Sequence, residues 1–105
     1  MIFIEAPPFG QVRHDYLDDD QYRLLQAMLM ANPAAGDLIR GSGGIRKVRW
    51  RAEGTGSRGG LRVIYHWITK HDHILLPTMY RKSEVSDLTP KQVRILRSLA
   101  KSLEE

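Results

Sequence analysis

The arginines and lysines between positions 40 and 62 are the residues of this sequence best suited to chemistry. The stretch holds seven of the chain's sixteen basic residues and a single acid, Glu53, so its balance of +6 (seven minus one) exceeds the +4 of the whole chain. Guanidinium and ammonium groups bind phosphate oxygens, so a block of this kind indicates a surface that holds polyanions. The seven basic residues are Arg40, Arg46, Lys47, Arg49, Arg51, Arg58 and Arg62.

Alternation along residues 45–52 places the central basic residues on one face of a strand. Lys47, Arg49 and Arg51 share that face, and Arg46 lies on the other. The next strand is expected to run antiparallel and to add Arg62 to the same sheet. Like charges facing one another across a sheet are destabilising. A phosphate-binding surface therefore explains the pattern better than the alternative, a solvated face that keeps the protein soluble.

A second group of candidate residues ends the last predicted strand. Alternation places Tyr80 and Lys82 on one side of that strand and Arg81 on the other. These residues are candidates for the same site only if the end of this strand lies beside Arg62. His66 falls on the Arg62 face, and imidazole is well suited to proton transfer near neutral pH. A partly buried, non-catalytic histidine is the favoured alternative for that position.

Most other common chemistries lack their residues in this sequence. The chain has no cysteine, which excludes disulfides, thiolate metal sites and cysteine nucleophiles. The two histidines of residues 71–73 lack helical spacing and an additional ligand, so we expect no metal and no other cofactor. The glycine run of residues 41–44 lacks the lysine and hydroxyl residue of a P-loop. Among the common chemistries, phosphoryl transfer by cationic side chains is the one that the sequence still allows.

The elements that must position these residues are predicted in the order β-α-α-β-β-β-α. Strands are expected at residues 1–6, 45–52, 61–70 and 73–80, and helices at 9–17, 18–31 and 87–105, the last with Thr89 as its N-cap. Residues 36–44 form a glycine-rich connection. Pro77 has no N–H for a sheet, which predicts an edge strand or a bulge. Three consecutive strands joined by short turns predict an α+β fold around an antiparallel sheet.

Length and composition are those of one ordinary globular domain spanning residues 1–105. No apolar run approaches the roughly 20 residues that span a bilayer, and the start of the chain lacks the features of a secretory signal. We therefore expect a cytoplasmic protein without a membrane partner. A pI near 9.7 favours nucleic acid as the partner, although charge taken alone would also allow acidic proteins or a membrane surface.

Five segments of the chain together match the pattern of a known family in order: Gly36–Ile39, Gly41–Trp50, Gly59–Tyr65, Tyr80–Glu84 and Asp87–Thr89. On these segments the sequence resembles RelE-type toxins of bacterial toxin–antitoxin modules, in the RelE/ParE superfamily, and most closely the HigB branch. The similarity covers nearly the whole chain. The resemblance implies a microbial RNase-like fold, a small antiparallel sheet with helices packed on one side, whose open concave face carries Lys, Arg and often Tyr.

The same resemblance implies an mRNA interferase, a ribosome-dependent endoribonuclease that inhibits translation and is neutralised by a small helix-turn-helix antitoxin. The residues that match the family's catalytic positions are Lys47, Arg49, Arg62, Tyr80 and Lys82. The residues expected to make further RNA contacts are Arg46, Arg51, Arg58, His66 and Arg81.

The reaction we hypothesise is metal-independent attack of the RNA 2′-hydroxyl on the adjacent phosphate. Arg62 would offset the charge of the phosphorane, and Lys47 or Lys82 would act as general base. Two other functions remain open at this point. One is a ParE-like toxin that inhibits DNA gyrase and cleaves nothing, and the other is a non-catalytic RNA-binding module.

Overall fold

A computed structural model describes residues 1–51 and 60–104 of the chain. The strands are β1 (Ile2–Glu5), β2 (Asp37–Leu38), β3 (Arg46–Arg51), β4 (Gly60–Ile68) and β5 (His73–Arg81). The helices are α1 (Pro7–Tyr16), α2 (Asp19–Ala31) and α3 (Pro90–Glu104). The α+β class and the order of the predicted elements are confirmed. The short strand β2 was not predicted, and it lies inside the expected glycine-rich connection.

The strands form one mixed sheet in the order β1-β5-β4-β3-β2. The pairs β2–β3, β3–β4 and β4–β5 are antiparallel, as predicted for consecutive strands joined by short connections. β1 instead pairs in parallel with β5. Parallel neighbours need a long crossover, and the whole chain between them supplies it. The expected all-antiparallel sheet is therefore corrected to a mixed one.

Helices cover both faces of the sheet, whereas the resemblance implied one face. Val63 of β4 packs in an apolar cluster with Phe9 of α1 and Leu25 of α2. The neighbouring residue Ile64 packs with Ala100 of α3 in a separate cluster. Because successive strand residues point to opposite faces, α1 and α2 lie on one side of the sheet and α3 on the other. β4 is buried on both faces, as its nearly continuous apolar sequence requires.

The helices α2 and α3 both begin at reciprocal caps. At α2, the Asp18 side chain accepts from the Gln21 N–H at 2.7 Å, and the Gln21 side chain accepts from the Asp18 N–H at 2.9 Å. At α3, Thr89 and Gln92 make the same exchange at 3.1 and 2.8 Å. The predicted cap at Thr89 is confirmed. None of the three described helices is both long and apolar enough to cross a membrane.

Pro77 lies at a bulge in β5. Ile64 pairs with Thr78 and His66 with Leu75, so two residues of β5 stand opposite the single residue between them on β4. A bulge tolerates the missing N–H of proline, which is why Pro77 is accepted in a strand flanked on both sides. The extra residue reverses the alternation of β5 beyond this point. The residues that end the strand consequently face the opposite side from the one a regular strand would give them.

Alanine in place of Gly36 is expected to destabilise the fold more than alanine in place of Gly41. Both glycines have positive φ, 76° and 77°, a conformation that costs an L-residue roughly 1–2 kcal/mol. A Cβ at Gly36 would also overlap the backbone carbonyl of Lys47, whereas one at Gly41 would meet nothing within 4 Å. Urea unfolding should therefore show a clearly larger loss for Gly36→Ala than for Gly41→Ala. Equal losses would contradict the close packing of β2 on β3.

Candidate active site

Three of the predicted catalytic residues stand side by side across the sheet. Arg49 on β3 is directly opposite Arg62 on β4, and Arg62 is directly opposite Tyr80 on β5. Lys47 precedes Arg49 by two residues on the same face of β3. Two arginines opposite one another are unfavourable in the absence of an anion. An anion bound between the two guanidinium groups would offset this repulsion.

The five predicted catalytic residues line one cavity of about 230 Å³. A neighbouring cavity of about 440 Å³ shares Arg49, Arg62 and Lys82 and adds Arg51. Residues from four strands and from the segment after β5 thus meet at one place, with the cationic groups converging on a shared space. The full lining of the smaller cavity is Asp37, Lys47, Arg49, Arg62, Tyr80, Lys82, Ser86 and Asp87.

Two carboxylates in this cavity, Asp37 and Asp87, were not predicted. Asp37 is directly opposite Lys47 on the paired strands β2 and β3. Asp87 Oδ1 lies 3.4 Å from Lys47 Nζ and 3.5 Å from the Tyr80 hydroxyl, and it accepts from the Leu88 N–H at 2.8 Å. One carboxylate oxygen therefore holds two candidate catalytic side chains. The sequence signal for Asp87 was its place just before the α3 cap, which indicated only a helix start.

The surroundings of Tyr80 determine which role its side chain can take. The residue is 7% exposed and packs with Ile45, Ile64 and Ala100, so its ring is not available to stack on an RNA base. Burial and then the charge of Asp87 raise the pKa of the Tyr80 hydroxyl above its ordinary value of 10.0. The phenol consequently stays protonated at neutral pH. Its hydroxyl can donate a hydrogen bond at the floor of the cavity.

Replacing Asp87 with asparagine is expected to change how stability depends on pH. The hydrogen bond from the Leu88 N–H, and then the charge of Lys47, hold the pKa of the Asp87 carboxyl below its ordinary value of 3.8. A lowered carboxyl pKa adds stability above that ordinary value, and the gain is lost as the pH falls through the folded-state pKa. The melting-temperature difference between wild type and Asp87→Asn should therefore shrink on acidification. Ser86→Ala, which alters an exposed neighbour in the same cavity without changing an ionisable group, should give a difference that stays flat.

The expected RNA contacts fall into separate places in the fold. Arg51 is exposed and lines the larger cavity beside Arg49 and Arg62. Arg58 lies outside the described residues. His66 is 4% exposed, with Nε2 2.6 Å from Glu104 Oε1 and Nδ1 3.2 Å from the Gly44 carbonyl oxygen. This burial favours the alternative of a non-catalytic histidine, which here joins β4 to the end of α3, and the expected RNA contact of His66 stays a prediction.

Arg46 and Arg81 lie on the face of the sheet opposite the candidate site. The Arg46 guanidinium donates to the carbonyl oxygens of Ala34 and Gly36 at 3.1 and 3.4 Å, so it holds the connection between α2 and β2. Arg81 stacks on the Tyr16 ring at 4.9 Å and pairs with Glu84 at 3.6 Å. Both side chains are engaged in structural contacts remote from the cavity. The structure thus places both arginines away from the cavity, and their expected contacts with RNA stay a prediction.

Within residues 1–51 and 60–104, no cluster of three or more His, Cys, Asp or Glu side chains has an arrangement suited to a metal ion. The histidines at 71 and 73 flank the predicted turn between β4 and β5, where Asp72 has a φ of 54°. Their rings lie 5.7 Å apart. These residues form a polar turn, as the sequence indicated.

The described residues form a small α+β domain with a cationic row across its sheet. No protein-family model matches the sequence. Among solved structures, the chain is similar to the Escherichia coli toxin RelE, seen as a double arginine-to-alanine mutant in the free state. The TM-score is 0.60 at 13% identity, and the match covers 93% of this chain and 94% of RelE. The RelE-like fold implied by the sequence is thereby confirmed.

Proposed function

We propose that this protein is the toxin of a toxin–antitoxin module and cleaves mRNA on the ribosome. The observation that supports this function best is the meeting of Lys47, Arg49, Arg62, Tyr80 and Lys82 around one cavity in a RelE-like fold. A convergent set of cations and one tyrosine hydroxyl suits the phosphate of RNA, and Asp87 holds Lys47 and Tyr80 in place. The HigB branch remains the proposed affiliation within the superfamily.

The proposed reaction is an internal transfer at one RNA phosphate. The 2′-oxygen gives its proton to a general base and bonds to phosphorus, while the bond from phosphorus to the 5′-oxygen breaks. That oxygen takes a proton from solvent and leaves as a 5′-hydroxyl, and a 2′,3′-cyclic phosphate remains. The residues have little covalent chemistry to perform. Their contribution is positioning and the neutralisation of charge that develops on the phosphorane oxygens.

Arg62 is assigned to stabilise the transition state, and Arg49 to bind the phosphate beside it. Arg62 stands in the centre of the row, with Arg49 on one side and Tyr80 on the other. An arginine fork presents several N–H donors in a fixed plane that matches phosphate oxygens. Because the sheet backbone holds these residues in register, the donors are in place before the reaction begins.

Lys82 is assigned as the general base in preference to Lys47. Lys47 Nζ lies 3.4 Å from Asp87 Oδ1, so its ammonium group is already engaged by a carboxylate. Lys82 is exposed, lines both cavities and has no ion pair with a carboxylate in the described residues. Lys47 is assigned to phosphate binding, with its position set by Asp87.

The ribosome is proposed to supply the substrate geometry that a small cationic face lacks. The cavity lining offers charges and few groups that read base edges. Ordering of the mRNA on the ribosome would place the 2′-hydroxyl in line with the scissile phosphate, which removes a large entropic barrier. A small helix-turn-helix antitoxin, in the same cytoplasmic compartment, is the proposed partner that neutralises the activity.

The deciding experiment supplies purified ribosomes, a defined mRNA and the purified protein. We expect primer extension to show cuts within the ribosomal A site, and end analysis to show a 2′,3′-cyclic phosphate on the upstream fragment. The same mRNA without ribosomes should stay intact. DNA breaks that depend on gyrase, with intact mRNA, would favour the ParE-like alternative. RNA binding without either type of cleavage would favour the non-catalytic module.

A further inference from the structure

A second groove lies next to the candidate active site, between α3 and the connection that follows β2. Its volume is about 420 Å³, within the roughly 300–1,000 Å³ of small-molecule sites. Asp87 lines this groove and also the active-site cavity, so the two spaces meet at that residue. Arg40 and Arg94 line the groove as well, although neither was among the predicted functional residues.

The chemistry of the groove combines cations with apolar surface. Arg40 and Arg94 are both exposed, and neither has a carboxylate partner within residues 1–51 and 60–104. Ile39, Leu88 and Val93 provide partly buried apolar walls. Guanidinium groups bind phosphate oxygens, and apolar side chains cover the face of an unstacked base. Such a combination fits a nucleotide better than a free inorganic anion.

α3 extends the positive charge beyond the groove. Arg94, Arg97 and Lys101 recur at spacings of three and four residues, which places them along one helix face. Arg97 runs beside the connection after β2, with its Cγ 3.4 Å from the place a Cβ would take on Gly43. The line of cations therefore leads away from Asp87 along the helix. If an RNA strand extends from the active site along α3, its phosphates lie beside these cations.

We propose that this groove binds a nucleotide of the same single-stranded RNA, flanking the cleaved phosphate. The proposal rests on the proposed function for the identity of the strand. Arg40 and Arg94 neutralise backbone phosphates there, and the apolar walls shelter a base. The active site holds the reacting phosphate, and the groove fixes the direction in which the strand leaves it. Removal of these arginines should weaken binding of RNA without touching the reacting groups.

The test measures binding of a 2′-O-methylated uridine hexamer, which cannot be cleaved, across a series of salt concentrations. Each phosphate contact on a single strand contributes about 0.7 to the slope of log affinity against log salt. We expect Arg40→Ala/Arg94→Ala to lower the magnitude of the slope by about 1.4 (2 × 0.7). Arg23→Ala/Lys70→Ala removes the same charge from α2 and the β4–β5 turn and should leave the slope close to the wild-type value.

The outcomes separate this proposal from the proposed function. An unchanged slope and affinity in Arg40→Ala/Arg94→Ala would overturn the groove proposal. If that variant instead lost affinity for a polyglutamate peptide while keeping RNA binding, the groove would belong to an acidic protein segment and the proposal would also fail. A different result is also informative: Arg40→Ala/Arg94→Ala lowers the slope as expected, but the wild-type protein leaves ribosome-bound mRNA intact. In that case the nuclease assignment fails and the groove proposal stands. Circular dichroism of both double variants confirms that they fold.

Discussion

Arg62→Ala is expected to slow cleavage of ribosome-bound mRNA by roughly 100- to 1,000-fold, the usual cost of removing one preorganised donor to a developing negative charge. Arg62 is central in the cross-strand row, directly opposite both Arg49 and Tyr80. No other described side chain has a guanidinium at that point of the sheet. The measurement is the single-turnover rate of mRNA cleavage on purified ribosomes.

The same substitution should leave the fold intact, which distinguishes lost chemistry from lost structure. Directly opposed like charges destabilise a sheet by a few tenths of a kcal/mol up to about 1 kcal/mol. Removing Arg62 relieves its repulsion with Arg49, so the unfolding free energy should hold or rise slightly. Arg62→Lys keeps the charge without the planar fork and should recover only part of the rate. Arg23→Ala, on the exposed surface of α2, should cleave at the wild-type rate. Wild-type cleavage by Arg62→Ala would refute the assignment.

Lys82→Ala is expected to slow cleavage by roughly 100- to 10,000-fold, the range associated with loss of a general base. Lys82 lines both cavities of the candidate site, whereas Lys47 is paired with Asp87. A general base removes a proton during the reaction. Its removal should therefore slow the chemical step more than it weakens RNA binding. The cleavage rate of a saturated ribosome complex measures that step directly.

Lys82→Arg separates proton transfer from charge. Arginine stays protonated under all ordinary conditions, so it can bind phosphate but cannot accept the proton of the 2′-hydroxyl. We expect Lys82→Arg to remain as slow as Lys82→Ala while binding RNA like wild type. A near-normal rate for Lys82→Arg would reduce Lys82 to a phosphate contact. A larger loss for Lys47→Ala than for Lys82→Ala would make Lys47 the base instead.

Much of the site was predictable because it depends on local alternation. Lys47 and Arg49 point to the same side of a strand whatever packs against it, and the register of adjacent antiparallel strands brings Arg62 beside them. Alternation also predicted that Arg46 lies on the opposite side of the strand, but not that its charge satisfies two backbone carbonyls near α2. The face of His66 was predicted as well, but α3 covers that part of the face and buries the ring.

The sequence by itself determined the element order, the α+β class and the cationic face, since periodicity, caps and charge are properties of neighbouring residues. Only the tertiary structure decided which carboxylates enter the site. Asp87 meets Lys47 across a separation of 40 residues, which no local pattern encodes. The bulge at Pro77 was decided in the same way, because it depends on how β5 pairs with β4. That bulge reverses the alternation of β5 and turns Tyr80 toward the basic face, so long-range pairing completes the site.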